Sequence, residues 1–264
     1  MVDRLPIFTD VVIRQSRPLL VWAMALAAIS AMYLSFYPSM GGGAMDDLVA
    51  DLPEGLVEAL GYDVIGTAGG WVTSTVYGLL GPALLLIFAI GSGARLIAGE
   101  EETGTLELEA TSPVSRLRIL AERYGALVVS VLVLVLVVTV VCWVFITMLD
   151  MAVPIDRLLA GSSGLALLTL GFGSIAFAVG SLTGRRSFAV GTAAALAVAA
   201  FMLDALGPVV DARWMSEVSP FTWYLGQDPL IDGFDRAGLV KLAVVPVLSL
   251  TVAVAAFPRR DLRV

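Results

Sequence analysis

Residues 125–149 read GALVVSVLVLVLVVTVVCWVFITML, an apolar run without one charged side chain. A helix needs about 20 mostly apolar residues to cross a hydrocarbon core roughly 30 Å thick, so this stretch is long enough to span a membrane. Five further runs qualify: Leu19–Tyr37, Trp71–Ile97, Leu158–Leu182, Phe188–Gly207 and Leu239–Phe257. None shows the alternation of a membrane β-barrel strand. In lipid every backbone amide must find an internal partner, which leaves helices. Composition points the same way. The chain has 264 residues, 58% of them hydrophobic, with a mean hydropathy of +0.92, whereas a soluble domain is nearer half apolar. The first run is longer than the apolar core of a signal peptide, and its small-residue triplets lie mid-run, so it reads as a retained span. The expectation is an all-α membrane protein, one transmembrane domain over residues 1–264 with six transmembrane helices.

Six spans put both ends of the chain on one side. That side carries twelve of the 16 basic residues, and the other only Arg157, Arg213, Arg236 and Lys241. The positive-inside rule then predicts a multi-pass protein of the plasma (inner) membrane with both termini cytoplasmic. The outer loops hold most of the acid, Asp46, Asp47, Asp51, Glu54, Glu58 and Asp63 in the first of them. Two readings stay open, a solvated outer surface or a collar that attracts cationic cargo. The first outer loop is also expected to hold a short helix around Pro53–Leu60.

Several chemistries are excluded. There is no His and one Cys, Cys142, so neither an internal disulfide nor a Cys/His metal site can be built. The P-loop pattern G-x-x-x-x-G-K-[ST] is missing, as is the G-x-S-x-G nucleophile elbow. The single lysine, Lys241, sits at the start of the last span, which leaves little room for a Ser-Lys dyad. The chain is expected to be no enzyme, to carry no cofactor of its own and to take no nucleic-acid partner.

Four further features stand out. Residues 1–17 place Leu5, Phe8 and Val12 at helical spacing with Asp10, Arg14 and Arg17 on other faces, which predicts an interfacial elbow helix ended by Pro18. Residues 208–238 gather Trp214, Phe221, Trp223, Tyr224 and Phe234 around Ser219-Pro220. They read either as a loop with an aromatic belt or as two short helices re-entering the membrane from outside. Pro220, Phe221, Trp223 and Tyr224 are candidate gate or cargo contacts. Asp204, near the outer end of the fifth run, is the clearest ionisable residue within a span and joins them, as an interfacial group or a cargo contact. Glycines mark the fourth run, among them Gly171, Gly173, Gly180 and Gly184, and predict close helix packing.

The longest polar interruption on the cytoplasmic side lies within residues 98–116: GEEETGTLELEATSPVSR, Gly99 to Arg116. Gly99 and three glutamates end the second helix. Gly104-Thr105 is a break, and Thr105 caps a short helix with Glu107 in its first turn. Ser112-Pro113 reads as a cap and first position of the third helix, ringed by Arg116, Arg118 and Arg123. A generic charged loop explains the charge, whereas a docking knob for a cytoplasmic partner explains both the charge and the ordered breaks.

The same residues carry a family resemblance. "EEETGTLELEATSPVSR" resembles the signature of type-two ATP-binding-cassette (ABC) exporter permeases, in which an acidic stretch, Gly-Thr-Leu-Glu and Pro-Val-Ser-Arg follow the second span. The likeness extends over the chain, through the elbow, the six spans and "SPFTWY" before the last span. It implies that 98–116 is a coupling helix docking on a separate ATPase. Gly104 and Thr105 would set the turn, Leu106 and Leu108 supply apolar contact, and Glu100, Glu101, Glu102 and Glu107 offer charge. Pro113 belongs to the motif, and Arg116 would anchor the segment. The resemblance implies two copies of a cytoplasmic ABC ATPase that hold the ATP and Mg, a second permease chain (the same or a related one) and a membrane lipid environment. The cargo would be an exported amphipathic or hydrophobic drug, peptide or lipid. The rivals are a stand-alone secondary transporter or channel, and a non-transporting membrane assembly subunit.

Overall fold

The computed structural model describes residues 6–40, 67–102 and 115–257, and every regular element among them is a helix. Six spans are long and apolar enough to cross a membrane. The first is α1 (Pro6–Ser35), followed by a short α2 (Tyr37–Met40). The second is composite: α3 (Ala68–Val72), a π-helical turn over Thr73–Tyr77, α4 (Leu80–Ala94), a second π turn over Arg95–Gly99, and α5 (Glu100–Glu102). Then come α6 (Arg116–Met148), α7 (Ile155–Thr183) and α8 (Arg186–Val209). Two short helices, α9 (Arg213–Glu217) and α10 (Pro220–Leu225), precede the last span, α11 (Arg236–Ala256). Glu102, Arg116 and Arg186 lie at one end of the bundle, here the near end; Tyr77, Val209 and α10 lie at the far end. The helix expected around Pro53–Leu60 falls outside the described residues.

The N-terminus departs from the sequence expectation. Residues 6–17 of the expected elbow and the span from Leu19 form one 30-residue helix, with Pro18 inside it, while residues 1–5 lie outside the described residues. The cause is docking on α6. The Phe8 N–H donates to Glu122 (3.0 Å), and the Ser130 hydroxyl lies 3.4 Å from the Gln15 side-chain oxygen. These contacts lie about two turns apart on each helix and in the same order, so α1 and α6 run side by side there. Ile7 and Val11 are buried, as a free interfacial helix would not have them. At about 45 Å the helix exceeds the hydrocarbon thickness by several turns, and the surplus lies at its α6-bound start.

The second span is one apolar run in sequence but not one helix. It breaks at Gly78-Leu79, just before Pro82. A proline has no N–H and fits only the first turn of a helix, so α4 starts at Leu80 with Pro82 in that turn. Carbonyls at such a break need donors from elsewhere.

Lipid tails are as apolar as leucine, so helix association here depends on close packing and hydrogen bonds. The fourth span, α7, forms the centre: 78% of its most apolar stretch is buried, against 17% for α1, 22% for α8 and 17% for α11. Its glycines make that position possible. A side chain at Gly93 would strike the Gly173 carbonyl, and one at Gly173 would lie 3.1 Å from Ala89 Cβ. Gly180 faces Ala94 and Ala98, and Gly171 faces Val245. Gly184 serves otherwise, as the left-handed cap of α7 (φ 61°) that turns the chain straight into α8. A buried hydroxyl group of Tyr77, Ser162 and Thr139, with successive oxygens 2.8 Å apart, joins the second, third and fourth spans.

Candidate functional site

The near end is built around the foot of α6. Ser115 caps this helix by accepting from the Arg118 N–H (3.3 Å), so α6 starts at Arg116 and not at Pro113. The correction has a local cause: Ser115 is extended and supplies the cap oxygen three residues nearer the membrane run. Arg118 Nε meets Glu122 at 2.7 Å, one turn apart on the same helix, and Glu122 also takes the Phe8 N–H. The neighbouring Arg123 is only 1% exposed. One of its guanidinium nitrogens donates to the Leu96 carbonyl, and another lies 3.7 Å from the Glu100 carboxylate. Leu96 sits in the second π turn, so Arg123 fastens the irregular end of the second span to the third. Glu122 and Arg123 were visible in sequence only as part of a charged helix end. Arg118 and Glu122 at i,i+4 were the available signal for the first of them.

The three glutamates of α5 face different surroundings. Glu100 pairs with Arg123, and Glu101 is buried. Glu102 accepts the Arg186 N–H at 2.8 Å, capping α8 from another helix. Beside it a pocket of about 370 Å³ is lined by Glu101, Glu102, Gly184, Arg185 and Ser187. Gly104, Thr105, Leu106, Glu107, Leu108 and Pro113 lie outside the described residues.

At the far end the structure brings Asp204, Pro220, Phe221, Trp223 and Tyr224 to one place. Ser219 caps α10, accepting from the Phe221 N–H (3.1 Å) with Pro220 at the start of the helix. The buried Ser219 hydroxyl donates to the Ala200 carbonyl of α8 (2.8 Å). Ala200 precedes the end of α8 by about two and a half turns, so the start of α10 lies alongside the last turns of α8. Thr222 donates to the Asp204 carboxylate. Tyr224 donates to the Tyr77 carbonyl (3.1 Å), the kind of donor that the broken second span requires. Phe221 packs edge-on to Phe201, ring centroids 5.5 Å apart, and against Phe172. The Trp223 indole N–H donates to the Glu217 carbonyl (2.7 Å), and Lys241 Nζ lies 5.8 Å from its ring centroid. One six-residue helix is thus tied to the second, fourth and fifth spans and lies against the sixth. The Ser219-Pro220 dipeptide marks Ser219 in the sequence, whereas no local signal marks Thr222 or Tyr77 as partners in this site.

Six apolar helical spans, with polar contacts gathered at the bundle ends, define a multi-pass helical membrane protein. The family model described as ABC-2 family transporter protein matches residues 11–262, and the chain belongs to that family. It is therefore a permease subunit of an ABC transporter, a transport subunit and not a catalytic one. Membership implies an ABC ATPase partner and usually a second permease. No curated protein matches the chain.

Proposed function

We propose that this permease exports an amphipathic or hydrophobic substrate, a drug, peptide or lipid, with energy from two copies of a cytoplasmic ABC ATPase that hold ATP and Mg. The observation that carries the reading is the family match over residues 11–262. The excess of arginine on the near-end side supports an inner-membrane orientation with both termini cytoplasmic. On that orientation residues 98–116 form the coupling segment that docks on the ATPase, and the Arg123–Glu100 joint stiffens its root. The second permease is another copy or a related chain. The exposed apolar faces of α1, α8 and α11 suit lipid and that partner. At the outer mouth α9 and α10 re-enter the bundle. Asp204, Pro220, Phe221, Trp223 and Tyr224 form the gate, which opens when the ATPases close.

The test is reconstitution in liposomes with the P-loop ATPase encoded beside the permease. ATP-dependent substrate movement only when both subunits are present is expected. Transport by the permease alone, with no such ATPase encoded, sinks the reading.

A further inference from the structure

The fifth span is hydrogen-bonded at both of its ends, and the residues it buries fully between them are small. At the near end, Glu102 takes the N–H of Arg186, the first residue of α8. At the far end, α8 receives two bonds from the gate helix: Ser219 donates to the Ala200 carbonyl, and Thr222 to Asp204. Between these points the residues that α8 buries are Ala189, Ala193, Ala197 and Ala200, with Gly207 beyond. These buried residues repeat at helical spacing, and Val190 and Phe201 pack against the core beside them. By contrast, the neighbouring α7 buries Leu165, Leu168, Phe172 and Phe177.

Helices slide past one another most readily where few side chains interlock, and a helix keeps its own length when it moves because its hydrogen bonds are internal. Resting on the permease reading above, we infer that α8 is the rod that links the coupling segment to the gate, with Glu102 as the positioning residue at its driven end. Glu102 then does not contact the ATPase. It carries the movement of α5, at the root of the coupling segment, into the first turn of α8. The shift passes along the alanine seam and reaches α10 through Ala200 and Asp204. A pocket of about 370 Å³ lies beside this joint, between α5 and the 184–187 turn.

The experiment uses the complete permease–ATPase complex in liposomes, with Glu102→Ala, Glu102→Gln, Thr222→Val and the double variant Glu102→Ala/Thr222→Val. Glu102→Ala is expected to lower substrate moved per ATP by about 2- to 10-fold, the range for losing one intramolecular hydrogen bond. Affinity for the ATPase is expected to be unchanged, and deuterium uptake at the Arg186 amide faster. Glu102→Gln keeps an acceptor and should recover most of the loss. The double variant should be no worse than the poorer single one, because both break the same linkage. Weaker ATPase binding by Glu102→Ala would make Glu102 a docking contact and overturn the rod while leaving the permease reading intact. Losses that multiply in the double variant would also overturn it. A wild-type complex with no ATP-dependent transport would instead remove the permease reading itself.

Discussion

Gly93 and Gly173 set the distance between the second and fourth spans, and a single methyl group is enough to test that. A Cβ added at Gly93 would meet the Gly173 carbonyl oxygen, the Gly173 carbonyl carbon at 3.2 Å and the Phe177 nitrogen at 3.3 Å. All three are backbone atoms and cannot rotate aside, so the helices must part. Overpacking of this kind costs about 1–3 kcal/mol. Gly91, on the same helix two residues earlier, has nothing within 4 Å of its added Cβ. Gly91→Ala and Gly93→Ala share the same gain in helix propensity, up to about 1 kcal/mol. The difference between them therefore isolates the packing cost, expected at about 1–3 kcal/mol, with Gly91→Ala neutral or stabilising. Reversible unfolding in mixed detergent micelles, followed by circular dichroism, measures both. Equal stabilities within roughly 0.5 kcal/mol, the usual scatter of a surface substitution, would refute the close approach.

Other consequences can be measured in the same preparations. Arg123→Met removes a buried charge-assisted bond to the Leu96 carbonyl and leaves Glu100 without this partner, so stability should fall by about 1.5–3 kcal/mol in the same unfolding assay. Tyr224→Phe deprives the Tyr77 carbonyl of its donor; a loss of about 1–3 kcal/mol, with faster deuterium exchange at the break in the second span, is expected. Asp204→Asn keeps an oxygen for the Thr222 hydroxyl but removes the charge. If Asp204 contacts cargo, cationic substrates should lose transport relative to neutral ones, and an unchanged ratio across substrates would leave it a structural partner of Thr222.

Much of this architecture is legible in sequence because lipid allows so few alternatives. An uncharged run such as 125–149 has only one way to satisfy its amides, and the glycines of the fourth run mark the helix that others must approach. Ser219-Pro220 announces the start of α10 by local chemistry alone. The rest depends on partners distant in the chain. The N-terminal helix is continuous because Glu122 and Ser130 hold it, and nothing in residues 6–17 shows that. The break in the second span follows from Pro82, yet its repair comes from Tyr224. Hydropathy counts Glu102 as one carboxylate among several, while its position makes it the cap of a helix that starts 84 residues later.

The central claim, that a separate ATPase drives this bundle through residues 98–116, is tested most directly by ATP hydrolysis and transport in the reconstituted complex. Leu106→Asp and Gly104→Pro would be compared there with the unaltered permease. Both variants should insert in the membrane normally and lose the permease-dependent stimulation of ATP hydrolysis together with transport. Stimulation and transport at the unaltered level in both variants would contradict the claim.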